Sequence, residues 1–162
     1  MNMEASNRSL VILSSYHHHN TETVARVIAE VLGAEIAKPQ DVDPAELHTY
    51  RLIGFGSGIY FSKHHRAVLE FAAQMPSVTG KPAFLFSTSG IYTERKLAKD
   101  HAALRDLLIE KGYAILDEFG CRGWDTYLFL KYIGGLNKGR PNAEDLERAC
   151  AFAQRLQRQM GS

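Results

Sequence analysis

The chain is poor in the features that identify a protein by composition. It has two cysteines, Cys121 and Cys150, which form neither a CxxC pair nor a zinc-ligand spacing. A disulfide framework and a cysteine-based zinc site are thereby excluded, and both thiols are expected reduced, as core residues. Neither sign of charge dominates: 19 Lys+Arg against 18 Asp+Glu leave a formal net charge of +1. A nucleic-acid footprint or an anionic membrane surface therefore has no electrostatic support. Apolar runs are strand-sized, far short of a membrane span. The polar stretch Met1 to Ser9 shows no signal-peptide pattern, so a cytoplasmic location is expected. No repeat, low-complexity tract or linker interrupts the 162 residues. They suit one domain over 1–162, with an ordered core of about 9–158.

What is present is an alternation of apolar strands and amphipathic helices. Ser9 to Ser14 reads as a strand, and Val24, Val27, Ile28, Val31 and Leu32 then fall on one helical face that Gly33 stops. Ala34 to Ala37 and Arg51 to Gly56 read as strands, joined by a segment with one helical turn at Asp43 to Leu47. A helix over about His64 to Gln74 and a strand at Pro82 to Phe86 follow, then a helix near Glu94 to Lys111 and a fifth strand at Tyr113 to Phe119. The long segment Gly120 to Pro141 precedes a last helix that Asn142 can cap. Strands with little polar alternation indicate a parallel sheet covered on both faces. The expected fold is α/β: a three-layer, doubly wound, five-stranded parallel sheet. Its ligand crevice lies at the carboxyl ends of the strands.

Three polar loops converge on that edge. The first, Ser14 to Thr21, offers the hydroxyls of Ser15 and Thr21 and the amide of Asn20, which can also cap the helix. It holds no lysine or arginine and no GxxxxGK[ST] pattern, which argues against a nucleoside triphosphate and for a phosphate monoester. The second, Gly56-Ser57-Gly58-Ile59-Tyr60-Phe61-Ser62-Lys63, pairs permissive backbone with two aromatics. The third, Ser87-Thr88-Ser89-Gly90-Ile91-Tyr92, repeats hydroxyls, glycine and a tyrosine. Together they suit a phosphorylated planar ring.

On these residues the chain resembles the flavodoxin-type, FMN-binding proteins over about Leu10 to Leu156, and the resemblance implies their sheet order, 2-1-3-4-5. Ser15, Asn20 and Thr21 match the family's phosphate loop, while His19 stands at the usual glycine and the loop is one residue longer. Histidine tolerates a left-handed backbone better than most residues. The resemblance implies FMN as cofactor, held by Ser15, Tyr16, His17, His18, His19, Asn20 and Thr21 at the phosphate. It places Ser57, Gly58, Ile59, Tyr60 and Phe61 on one side of the ring. On the other side it places Ser87, Thr88, Ser89, Gly90 and Tyr92, the last matching the family's stacking tyrosine. The Gly56 to His65 run is also similar to the matching loop of menaquinone-dependent protoporphyrinogen oxidases. Trp124, in the long segment after the fifth strand, is a further candidate to cover the flavin.

Three consecutive histidines, His17 to His19, suggest a metal, but successive loop residues diverge and no carboxylate or cysteine is near in sequence, so no metal is expected. His101 reads as a satisfied core histidine. Ser87 and Ser89 lack a G-x-S-x-G elbow, and no acid–base partner is evident for them. No catalytic side chain is therefore expected, since the flavin carries the redox chemistry. Shuttle flavodoxins are strongly acidic, whereas this chain is nearly neutral. That points toward a two-electron oxidoreductase with a small acceptor such as a quinone, or toward a dedicated redox partner protein. Flavodoxin-like reductases commonly pair as homodimers. The alternative is a flavin-free binding module, which His19 would favour.

Overall fold

A computed structural model describes residues 7–15, 19–124 and 137–161. In chain order the elements are β1 (Ser9–Ser14), α1 (Asn20–Leu32), β2 (Glu35–Ala37), β3 (Leu52–Tyr60), β4 (Lys63–His64), α2 (Arg66–Gln74), β5 (Lys81–Ser89), α3 (Glu94–Glu110), β6 (Tyr113–Arg122) and α4 (Ala143–Met160). Two 3-10 turns, Pro39–Asp41 and Pro44–Thr49, fill the β2–β3 connection.

The main sheet has the order β2-β1-β3-β5-β6, all pairs parallel. With the two-residue β4 set aside, this is the expected 2-1-3-4-5. The five parallel strands stand as expected, and among the described residues a further short strand, Lys63–His64, folds back antiparallel on Ile59 and Tyr60. Helix α2 consequently starts at Arg66 rather than His64, with the His65 ring capping it.

Period-two burial sends alternate strand residues to two cores. Val11, Leu13, Phe84, Phe86 and Phe119 meet α1 and α4 through Val24, Ile28, Phe152 and Leu156. Leu10, Ile12, Ile53, Phe55 and Leu85 meet α2 and α3 through Val68, Phe71, Leu104 and Leu108. The rings of Phe84 and Phe86 occupy the space that side chains at Gly54 and Gly56 would need. A bulge between Ala83 and Phe84 in the β5–β6 pairing shifts the phase of β6. Leu116 packs with the α1/α4 core and Asp117, the next residue, reaches Arg155 of α4. Glu118 is thereby turned toward α3. Cys121 is buried and Cys150 partly so, both free. No described helix is long and apolar enough to cross a membrane.

Candidate functional site

The strands run past the points where their sequences turn polar. Ser57 to Tyr60 complete β3 and Ser87 to Ser89 complete β5, so the segments read as loops are in large part strand. The turns proper are Phe61–Ser62, both at positive φ (51° and 61°), and Gly90 to Thr93.

Three serines stand in register on the α2/α3 side of these ends: Ser14, Ser57 and Ser87. All are buried, and each hydroxyl is engaged. His65 Nδ1 accepts the Ala67 amide at 3.1 Å, so the Ser14 hydroxyl, 3.2 Å away, donates to that same nitrogen. Ser57 donates to the Gly58 carbonyl at 2.6 Å and accepts the His65 amide at 2.8 Å.

Ser87 corrects one expectation: an acid–base partner does exist. Its Oγ lies 2.7 Å from Nε2 of His101, whose Nδ1 lies 2.9 Å from Oε1 of Glu118. Arg105 holds the same carboxylate through Nε and Nη2, both at 2.8 Å. Burial opposes the charge on Glu118, but hydrogen bonds from His101 and Arg105 outweigh it and bring the carboxyl down to about 2. An ionised carboxylate can only accept. Nδ1 of His101 therefore carries a proton, and Nε2 accepts from Ser87 wherever the ring holds that proton alone. Beside it, with ring centroids 4.6 Å apart, His64 donates from Nε2 to the Phe86 carbonyl at 3.0 Å. Its Nδ1 is buried without a partner among the described residues. Burial, and then the neighbouring His101, push His64 down to about 3, which keeps it neutral.

At the phosphate end, His19 adopts the left-handed conformation (φ 54°, ψ 30°) and gives α1 no side-chain cap. Its Nδ1 lies 2.8 Å from Oε2 of Glu22, in the first turn of that helix. Ser15 Oγ instead accepts the Glu22 amide at 3.2 Å. The expected cap by Asn20 is corrected: Asn20 is the first helical residue, and its Nδ2 donates to the Trp124 carbonyl at 2.8 Å. Thr21 and Thr88, both buried, bond hydroxyl to hydroxyl at 2.8 Å. Tyr16, His17 and His18 lie outside the described residues.

At the other end the Tyr60 ring lies over Gly58, where a Cβ would come within 3.2 Å of it, and meets His65 edge-on at 5.2 Å. Ile59 is half-buried, opposite His64 in the hairpin. Phe61 stands apart at the hairpin tip, 88% exposed. Tyr92 lies beneath the Arg148 guanidinium, 5.5 Å from the ring centroid, and close against Gly120. Ser89 donates to the Ile91 carbonyl at 2.6 Å.

Sequence reasoning gave no site role to Asn137, which joins the outer turns. Its Nδ2 donates to the Gly90 carbonyl at 2.5 Å, while Gly123 N donates to the Ser89 carbonyl at 2.9 Å and Trp124 N to that of Arg140 at 3.1 Å. The residue type is the signal the sequence offers, since asparagine favours the left-handed backbone that Asn137 adopts here (φ 59°). A cleft of about 490 Å³ opens on the β2 side of the first loop, lined by Ser15, His19, Glu22, Lys38 and Asp41 among others. It shares Ser15 and His19 with the expected phosphate end and none of the expected ring residues. Among the described residues no three metal-ligating side chains converge.

The donor set fits the expected ligand. Neutral hydroxyls and a helix amino end favour a phosphate at one end, and glycine with tyrosines suits a flat ring at the other. The chain's fold is that of solved flavodoxins. Oxidised Flavodoxin 2 from Bacillus cereus superposes with a TM-score of 0.71 at 17% identity, over 94% of this chain and 99% of the other. A flavodoxin from the domain Archaea gives 0.67 at 14%, over 96% and 99%. In sequence, an uncharacterized protein of Methanocaldococcus jannaschii is 44% identical over 92% of this chain and 97% of its own. The flavodoxin-domain family model matches residues 10–123, and the chain thus belongs to the flavodoxin family, an FMN-binding electron-transfer fold.

Proposed function

We propose that the chain binds one FMN across the ends of β1, β3 and β5 and acts as a two-electron oxidoreductase toward a small planar acceptor such as a quinone. The observation that carries this reading is the strand order, whose switch of direction falls between β1 and β3, the place where folds of this kind take their ligands. The loop after β1 borders it at one end and the β3–β4 hairpin and the turn after β5 at the other.

Ser15 and the amino end of α1 would hold the phosphate, with His19 supplying the left-handed turn that glycine supplies elsewhere. Gly58, Tyr60, Gly90 and Tyr92 would bracket the ring, and Trp124, whose carbonyl Asn20 holds, would shield its outer side. When bound, FMN supplies the electron chemistry. The chain's residues orient it, exclude water and set the local field. Neither Ser57 to Lys63 nor Ser87 to Thr93 contains a carboxylate, and Lys63 is exposed beside the hairpin. That environment tolerates the extra negative charge of a doubly reduced cofactor, which supports the two-electron reading. The near-neutral charge of the whole chain agrees with a small acceptor.

The test is the visible spectrum of the purified protein, followed by titration with FMN and stepwise reduction. Flavin bands at about one FMN per chain and a single reductive step are expected. A colourless protein that leaves added FMN fluorescence unquenched overturns the cofactor reading and favours a flavin-free binding module. Two resolved one-electron steps overturn the two-electron reading.

A further inference from the structure

One buried assembly goes beyond what holding a cofactor requires: the line Arg105, Glu118, His101, Ser87. It begins at the surface, where Arg105 and Glu118 side chains are 24% and 21% exposed, and ends under the last residues of β5. His101 between them is fully buried. Stability alone does not call for it. Leu104 and Leu108 continue the same buried face of α3, and an apolar residue at 101 would extend that stripe without the cost of burying a polar chain.

We propose that His101 takes up a proton through Ser87 when FMN bound at this edge is reduced, making Ser87–His101–Glu118 the proton-holding element of the redox site; this rests on the FMN reading above. The hydrogen-bond directions give the chain two states. With His101 neutral, the Ser87 hydroxyl points its proton at Nε2 and offers only lone pairs elsewhere. With Nε2 protonated, Ser87 accepts from it, and the hydroxyl keeps one O–H, which now turns away from His101 as a donor. A donor is then presented at the strand end when negative charge arrives there.

The surroundings suit one added proton. Glu118 from β6 is ionised and faces Nδ1, and Arg105 of α3 fixes that carboxylate. His64 from β4 is the other titratable group against the ring and is held neutral by burial. Asp100, the preceding residue of α3, is paired with Lys96. β5 contributes the Ser87 hydroxyl. The balance is simple. Two electrons from the reductant and one proton go to the cofactor. A second proton leaves solvent for the Ser87 oxygen as the hydroxyl proton passes to Nε2.

The midpoint potential of the FMN-loaded protein against pH, with dithionite as reductant, reads the proton count. Each proton taken up with two electrons steepens the potential by about 30 mV per pH unit. Native protein is expected to show the steeper slope by about that amount. His101→Gln, which keeps a polar side chain, and Glu118→Gln are expected to flatten it. Ring-labelled 15N NMR of native protein supplies a measurement that needs no variant. His101 should show one protonated nitrogen when oxidised and two when reduced. Equal slopes in native and variant proteins, or a His101 that stays neutral after reduction, overturn the proposal. Absence of bound flavin before any reductant is added is a separate result and removes the cofactor reading on which it rests.

Discussion

At Gly56 a missing side chain is a packing requirement, because the Phe86 ring from the neighbouring strand lies where a Cβ would be. Gly56→Ala is expected to destabilise the fold by about 1–3 kcal/mol through overpacking, read as a lower urea midpoint. Shortening the ring in the same protein, Gly56→Ala with Phe86→Leu, should recover part of that loss relative to the sum of the single changes, a coupling of about 0.5–3 kcal/mol. Additive losses would show that the ring is not what excludes the methyl group. His19 is the opposite case: a side chain is retained where a left-handed backbone usually takes glycine, and that conformation was readable from the sequence because histidine tolerates it. The role of Asn20 was not readable, since its choice between capping its own helix and reaching Trp124 depends on a residue more than a hundred positions away.

Helix α4 starts on a reciprocal pair. The Asn142 side chain accepts the Asp145 amide at 3.0 Å, the Asp145 carboxylate accepts the Asn142 amide at 2.9 Å, and Arg140 clamps that carboxylate at 2.5 and 2.6 Å. Asn142→Ala is expected to cost roughly 0.5–2 kcal/mol, and Asn142→Asp much less, by thermal or urea unfolding. This cap was legible, as were β1 and the helix faces, because each rests on local spacing; the strand order, a long-range property, was legible only through the family resemblance. The strand ends were not. Ser57-Gly58, Ser87 to Ser89 and Gly120 to Arg122 carry turn-forming residues, yet a neighbouring strand satisfies their backbone and keeps them extended. The two residues of β4 are too few to leave a pattern. Glu118 was missed because the bulge before it reverses the inside–outside phase that spacing alone assigns. With that phase known, Ser87, His101 and Glu118 would have pointed into one layer.

For the molecule as a whole, acid stability turns first on a histidine. The folded chain keeps His64 neutral down to about pH 3, whereas the unfolded chain binds a proton below the usual 6.5. Between those values the unfolded state carries the extra proton, so stability falls as pH drops, by up to roughly 1.4 kcal/mol per pH unit. Glu118 acts lower: its contribution is complete above its ordinary 4.5 and is lost as pH falls through about 2. Urea unfolding between pH 6.5 and 4.5 should therefore show a decline that His64→Phe flattens, while the decline below 4.5 persists. An unchanged profile in that variant would remove His64 as the cause. A different consequence follows from the way the outer turns are joined. Asn20 is tied to Trp124, Thr21 to Thr88, Gly123 to Ser89 and Asn137 to Gly90. Loop grafting treats each such segment as an interchangeable part, and here it is not. The turns after β1, β5 and β6 therefore move only as one stitched set. The β3–β4 hairpin is tied inward as well, through His64 to the Phe86 carbonyl and through His65 to Ser14, and only its exposed tip at Phe61 and Ser62 can be exchanged alone.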